Sequence, residues 1–117
     1  MELGKRAVAA KAWRWCPGML TLGGLRVGPT GLPKGRHVPD LLDPATLGCI
    51  VGILRDESGS SDLCIECYQE QWNERWIPLW AVSAAGSARH YVEDLHGFST
   101  EADAAVTALE VAADWTW

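Results

Sequence analysis

Asp43-Pro44-Ala45-Thr46-Leu47-Gly48-Cys49-Ile50-Val51-Gly52-Ile53-Leu54 is the stretch on which the fold turns. Asp43 offers a side-chain acceptor to the unpaired amides of a helix start, and Pro44 falls at the first helical position, where its missing N–H costs nothing. Leu47, Ile50, Val51 and Leu54 then recur at i, i+3, i+4 and i+7. Cys49 and Ile53 widen that stripe until the helix is apolar almost all round, which predicts a central, buried element. Gly48 and Gly52, one turn apart, are expected to leave a groove for close approach of another backbone. The segment is too short for a membrane dimer motif.

Downstream, Asp56 to Asp62 reads as an exposed turn. Three strands are expected after it: Leu63 to Glu70, Arg75 to Ala84, and Arg89 to Leu95, with Gln71 to Glu74 as the turn joining the first two. The second strand puts Trp76, Pro78, Trp80 and Val82 on one face and Ile77, Leu79 and Ala81 on the other, which predicts cover on both sides. Pro78 pushes it toward an edge or a bulge. A closing helix begins at Thr100, an N-cap with Asp103 three residues on, and carries the stripe Ala102, Ala105, Val106, Leu109, Ala112 and Ala113. Trp115 and Trp117 follow as a tail that needs packing on the domain or on a neighbouring subunit.

Upstream, Leu3 to about Trp13 is rich in good helix formers, and Pro17-Gly18 ends that helix. Met19 to Val27 reads as a hairpin around Gly23-Gly24, because a glycine pair supplies the positive backbone angles of a tight turn. Gly28 to Leu42 has no period and is expected to be a loop. The predicted order is therefore α-ββ-α-βββ-α, an α+β fold in one domain over residues 1–117, with helices packed on a mostly antiparallel sheet.

The chain has 117 residues and a net charge of −5, and its charge is unevenly spread. Up to Arg36, seven basic residues stand against Glu2 alone; from His37 on, three arginines face fourteen acids. A basic first third on an acidic chain suggests a local anionic partner, or neutralisation of the acidic remainder when the two pack. No apolar run approaches the ~20 residues that span a bilayer, and no export signal is apparent, so a cytoplasmic protein without membrane contact and with reduced cysteines is expected. Cys64 and Cys67 have the spacing of a metal or redox half-site, but in a strand a separation of three points them to opposite faces. No metal and no cofactor are expected.

Trp13-Arg14-Trp15-Cys16-Pro17-Gly18-Met19 sets two indoles around a guanidinium just before a sharp turn. Such faces can stack on a base or nucleotide ring; the same residues also make a hydrophobic clasp between elements. On the first reading, Trp13, Arg14, Trp15, Arg26 and Arg36 form a site for a small anionic, nucleotide-like ligand. His37, His90 and His96 are scattered, and Asp40 and Asp43 are explained as a loop acid and a helix cap, so catalysis is not expected. Seven tryptophans against a single Phe exceed what a core of this size needs, which predicts a homo-oligomer.

The blocks Arg6-Ala7-Val8-Ala9, Lys11-Ala12-Trp13-Arg14-Trp15, Pro17-Gly18-Met19-Leu20, Pro39-Asp40-Leu41, Asp43-Pro44-Ala45-Thr46-Leu47-Gly48-Cys49 and Thr100-Glu101-Ala102 resemble a group of small uncharacterised phage and prophage proteins. The resemblance implies a phage origin and a setting inside the infected bacterial cell. By analogy with small phage proteins that oppose bacterial defence, the function expected is sequestration of a nucleotide-derived immune signal. A protein–protein inhibitor of a host defence effector such as a CRISPR nuclease, presenting its acidic, aromatic surface, is the alternative, and a phage structural or assembly factor is a third.

Overall fold

A computed structural model describes residues 2–32, 35–83 and 95–115. Three helices and a three-stranded antiparallel sheet pack together, in the order α1 (Glu2–Ala9), α2 (Pro44–Ser58), β1 (Cys64–Trp72), β2 (Arg75–Ser83), β3 (Leu95–Phe98) and α3 (Glu101–Ala112). The fold is α+β as expected, but its order is α-α-βββ-α. The missing pair of strands is Met19 to Val27. Its backbone closes on itself through Thr21 N–H to Leu25 O at 2.8 Å and Val27 N–H to Met19 O at 2.7 Å, but only isolated bridges form. The ladder is broken from within: Leu25 N–H bonds the Thr21 hydroxyl at 3.0 Å and Thr21 O accepts from Gly24 N–H, while on the other edge the following loop returns alongside, Leu22 N–H bonding Val38 O and Asp40 N–H bonding Leu20 O. The segment becomes a bridged loop tied to 38–40 instead of a free hairpin.

Both long helices start where their caps predict. Asp43 accepts from Thr46 N–H at 3.0 Å and Thr100 from Asp103 N–H at 3.0 Å, and Gly59, at φ 68°, ends α2 in the left-handed conformation that glycine adopts without strain. α1 is shorter than expected. It ends at Ala9, after which Ala10 N–H and Trp13 N–H reach back three residues, to Ala7 O and Ala10 O, and release the Trp-Arg-Trp segment into irregular chain.

The layers correct the expectation that α2 is the centre. α3 is the middle of the molecule, with α1 and α2 packed against it on one side and all three strands on the other. Seven residues of α3 are buried, five of them alanines, and small side chains let neighbours approach from both sides. α2 buries Thr46, Leu47, Ile50, Ile53, Leu54 and Ser58, while Gly48 and Gly52 face outward with open space where a side chain would be. Among the described residues no backbone enters the groove they were expected to leave.

The sheet is covered by α3 on one face, not on both. Val82 is buried, and Ile65, Trp80, Leu95 and Phe98 pack on the same core, whereas every residue from Gln69 to Pro78 is exposed. The outer half of the β1–β2 hairpin is thus an arm that lies beyond the helices. Its turn has positive φ at both Asn73 (46°) and Glu74 (65°), the geometry of a tight two-residue hairpin turn, and falls within the predicted Gln71 to Glu74. Pro78 pairs only with β1 at Gln69, because β3 joins β2 beyond it, at Trp80 and Val82, with a register shift between those two residues. The strand expected over Arg89 to Leu95 lies, but for Leu95, outside the described residues, and β3 forms instead just before α3. Trp115 is buried against its own core, so it is not available to a neighbour. Trp117 lies outside the described residues.

Candidate functional site

α1 places Lys5, Val8 and Ala9 at i, i+3 and i+4, so the three share one face. Facing them are Trp15 and the segment Gly35, Arg36, His37 and Val38, and the two walls enclose an open groove of about 600 Å³. Three basic residue types and an indole line it together with aliphatic carbon, and no carboxylate is among the described residues that line it. A groove of this kind can hold an anion against Lys5 and Arg36 while a flat apolar ring rests on Trp15.

Of the five residues expected to form a ligand site, Trp15 and Arg36 meet in this groove. Trp13 lies beside Trp15, the two rings T-shaped at 85° with centroids 5.1 Å apart. It packs against the core, and its buried Nε1–H has no hydrogen-bond partner. Trp15 packs against the same core, but it also lines the groove, which Trp13 does not.

The two remaining arginines point elsewhere. Arg14 leaves the aromatic pair and its Nη2 donates to Asp56 Oδ2 of α2 at 2.5 Å. Arg26 Nη1 donates to Gly18 O at 2.9 Å and to Asp43 Oδ2 at 2.8 Å, tying the bridged loop to the start of α2. Sequence proximity to the indoles suggested convergence. In space both guanidiniums neutralise carboxylates of the acidic part of the chain, which is the intramolecular alternative for the basic third. Lys34 lies outside the described residues.

Sequence reasoning missed Lys5 and His37 as groove residues, and it missed Gly4. Gly4 is buried, and Val38 fills the place where its side chain would be, so the loop carrying Arg36 and His37 can lie directly on α1. A glycine inside an alanine-rich helix was the available signal, since such a residue usually answers to close packing.

Burial pushes the Asp43 carboxyl up, but hydrogen bonds from Arg26 and Thr46 outweigh it and hold the group below its ordinary range. Arg6 does the same for Glu110 through a two-point contact at 2.6 and 3.1 Å. Burial raises the Cys49 thiol, which donates to Pro17 O at 3.6 Å. All four cysteines are free, and Cys64 donates to Glu66 Oε1 at 3.1 Å. Among the described residues no three His, Cys, Asp or Glu stand together as a metal site would require, and no helix is long and apolar enough to cross a membrane. No family model, curated protein or solved structure matches the chain.

Proposed function

We propose that this chain is a non-enzymatic binding protein that sequesters a small anionic, nucleotide-like molecule in the groove between α1 and residues 35–38. The observation that carries the reading is the lining: Lys5 and Arg36 beside Trp15, with no carboxylate among the described lining residues. The groove's size suits a small molecule, since ligand pockets commonly enclose about 300–1,000 Å³. It is open on one side, which suits capture and release more than chemistry in a water-free site. The resemblance of the Trp-Arg-Trp and Asp-Pro-Ala-Thr blocks to phage proteins makes a nucleotide-derived immune signal of the infected bacterium the ligand of first choice. The test is calorimetry with cyclic nucleotides and ADP-ribose derivatives, joined to mass spectrometry of small molecules released from the denatured protein. Arg36→Ala is expected to lose a charge-assisted contact of about 1.5–3 kcal/mol without unfolding the chain. Absence of binding by every nucleotide probe, with none released on denaturation, defeats the reading.

A second reading is favoured by the arm. Trp72, 57% exposed, shares a sheet face with Glu66 and Glu70, and Trp76, 65% exposed, lies on the opposite face of the same arm, an aromatic and acidic projection that suits a basic protein partner such as a defence nuclease. Tight capture of such an effector, lost on Trp72→Ala or Trp76→Ala, would establish it.

A further inference from the structure

β1 is an edge strand: β2 pairs with one side of it, and among the described residues nothing pairs with the other. Proteins usually protect such an edge with charged side chains, lysine above all, with proline or with a bulge, and here Glu66 and Glu70 are the only charges along it. Cys64-Ile65-Glu66-Cys67-Tyr68-Gln69-Glu70-Gln71-Trp72 contains neither lysine nor proline, and its pairing with β2 runs without interruption over all nine residues. Beside this open edge stands an apolar surface that the chain does not cover, with Trp72 57% and Ile77 39% exposed.

We infer that β1 pairs antiparallel with β1 of a second copy about a two-fold axis at Gln69, making one six-stranded sheet. This interface is independent of the ligand groove. An axis normal to the sheet keeps each face on its own side, so Tyr68 comes opposite Glu70 of the second copy and Glu66 opposite its Trp72. Charge excludes the two adjacent registers. An axis at Tyr68 would put Glu66 directly against Glu70, and one at Glu70 would put that carboxylate against itself, both unfavourable. An axis at Cys67 avoids like charges but draws the two bodies roughly 14 Å closer, at about 3.4 Å per residue. With the axis at Gln69 the bodies stand at opposite ends of the paired segment. Each Trp72 then lies diagonal to the Tyr68 of the other copy, within reach of its ring.

The test is solution mass by light scattering across micromolar concentrations, followed by register-specific cross-linking. A mass of twice 12.7 kDa is expected, and Gln69→Lys, which opposes two ammonium groups at the axis, should weaken the dimer about fivefold or more. In a Cys64→Ser, Cys67→Ser background, Gln69→Cys should form an inter-chain disulfide when oxidised glutathione accepts its two electrons. Gln71→Cys should not, because its counterpart lies four residues off along the partner strand. A monomer at every concentration overturns the inference and leaves the arm to another protein. A dimer that Gln69→Lys does not weaken, or one linked as readily through residue 71, overturns it equally.

Discussion

Gly4 and Val38 stand so close that a Cβ added at residue 4 would lie 2.3 Å from Val38 Cγ1. That contact seats the loop of the candidate groove on α1, so helix and ligand wall are built together. Gly4→Ala gains about 1 kcal/mol of helix propensity but overpacks a stiff, β-branched neighbour, a change that costs about 1–3 kcal/mol. The expected net effect in urea melts is destabilising. In a Val38→Ala background the clash is gone and the same substitution should become stabilising. A change of sign between the two backgrounds identifies the contact; equal effects in both would show that residue 4 and the loop are uncoupled.

Leu109 of α3 and Leu54 of α2 are both fully buried, and they report on different layers. Replacing either by Ala should cost about 2–5 kcal/mol in denaturant melts. Because α3 joins the other helices to the sheet, Leu109→Ala should also lower protection of the β2 amides from hydrogen exchange, whereas Leu54→Ala should spare them. Equal loss in the sheet from both would place α2 at the centre after all.

The helices were legible because their signals are local. Asp43-Pro44 and Thr100 with Asp103 mark helix starts whose hydrogen bonds close within one turn, and no distant residue decides them. The arm's turn at Asn73-Glu74 was legible for the same reason. What depended on distant chain was not. Met19 to Val27 has the pattern of a hairpin, yet the Thr21 hydroxyl takes the Leu25 N–H that a ladder would use, and the far edge of the segment is tied to Val38 and Asp40. An apolar helix of period 3.6 announces burial but not which helix lies in the middle, and the alanines of α3 gave it that place. In the candidate site, Trp15 was legible as an aromatic face. The separation of Arg14 and Arg26 from it was not, because Asp56 and Asp43, their partners, come from another element.

The Arg26–Asp43 pair predicts a pH dependence of stability. Asp43 is held below its ordinary value of 3.8, so its contribution is present above that value and is lost as pH falls through the lower folded value. Glu110, lowered by Arg6, acts in the same direction, and the combined loss should run downward from about pH 4. Asp43→Asn keeps a good helix cap while removing the charge, so it should flatten the acid limb of a stability-versus-pH curve without abolishing folding. An acid limb unchanged in the Asp43→Asn, Glu110→Gln double variant would show that other carboxylates govern it.

Trp13 and Trp15 stand edge to face, yet their roles should separate. Both rings pack on the core, but Trp13 is not among the groove's lining residues, so Trp13→Ala is expected to cost about 3 kcal/mol of fold stability and to reduce ligand binding only as the fold is lost. Trp15 lines the groove as well, so Trp15→Ala should lose about 1–3 kcal/mol of stacking with a base in addition to its share of core packing. Arg14, between them in sequence but bound to Asp56 in space, should matter little to either measurement. Its exposed ion pair contributes about 0.2–1 kcal/mol to stability, and its removal should leave nucleotide affinity unchanged. Melts and calorimetry on the three single variants decide the assignment. Loss of affinity in folded Arg14→Ala with full affinity in Trp15→Ala would move the binding site away from the groove and onto the face where Arg14 meets α2.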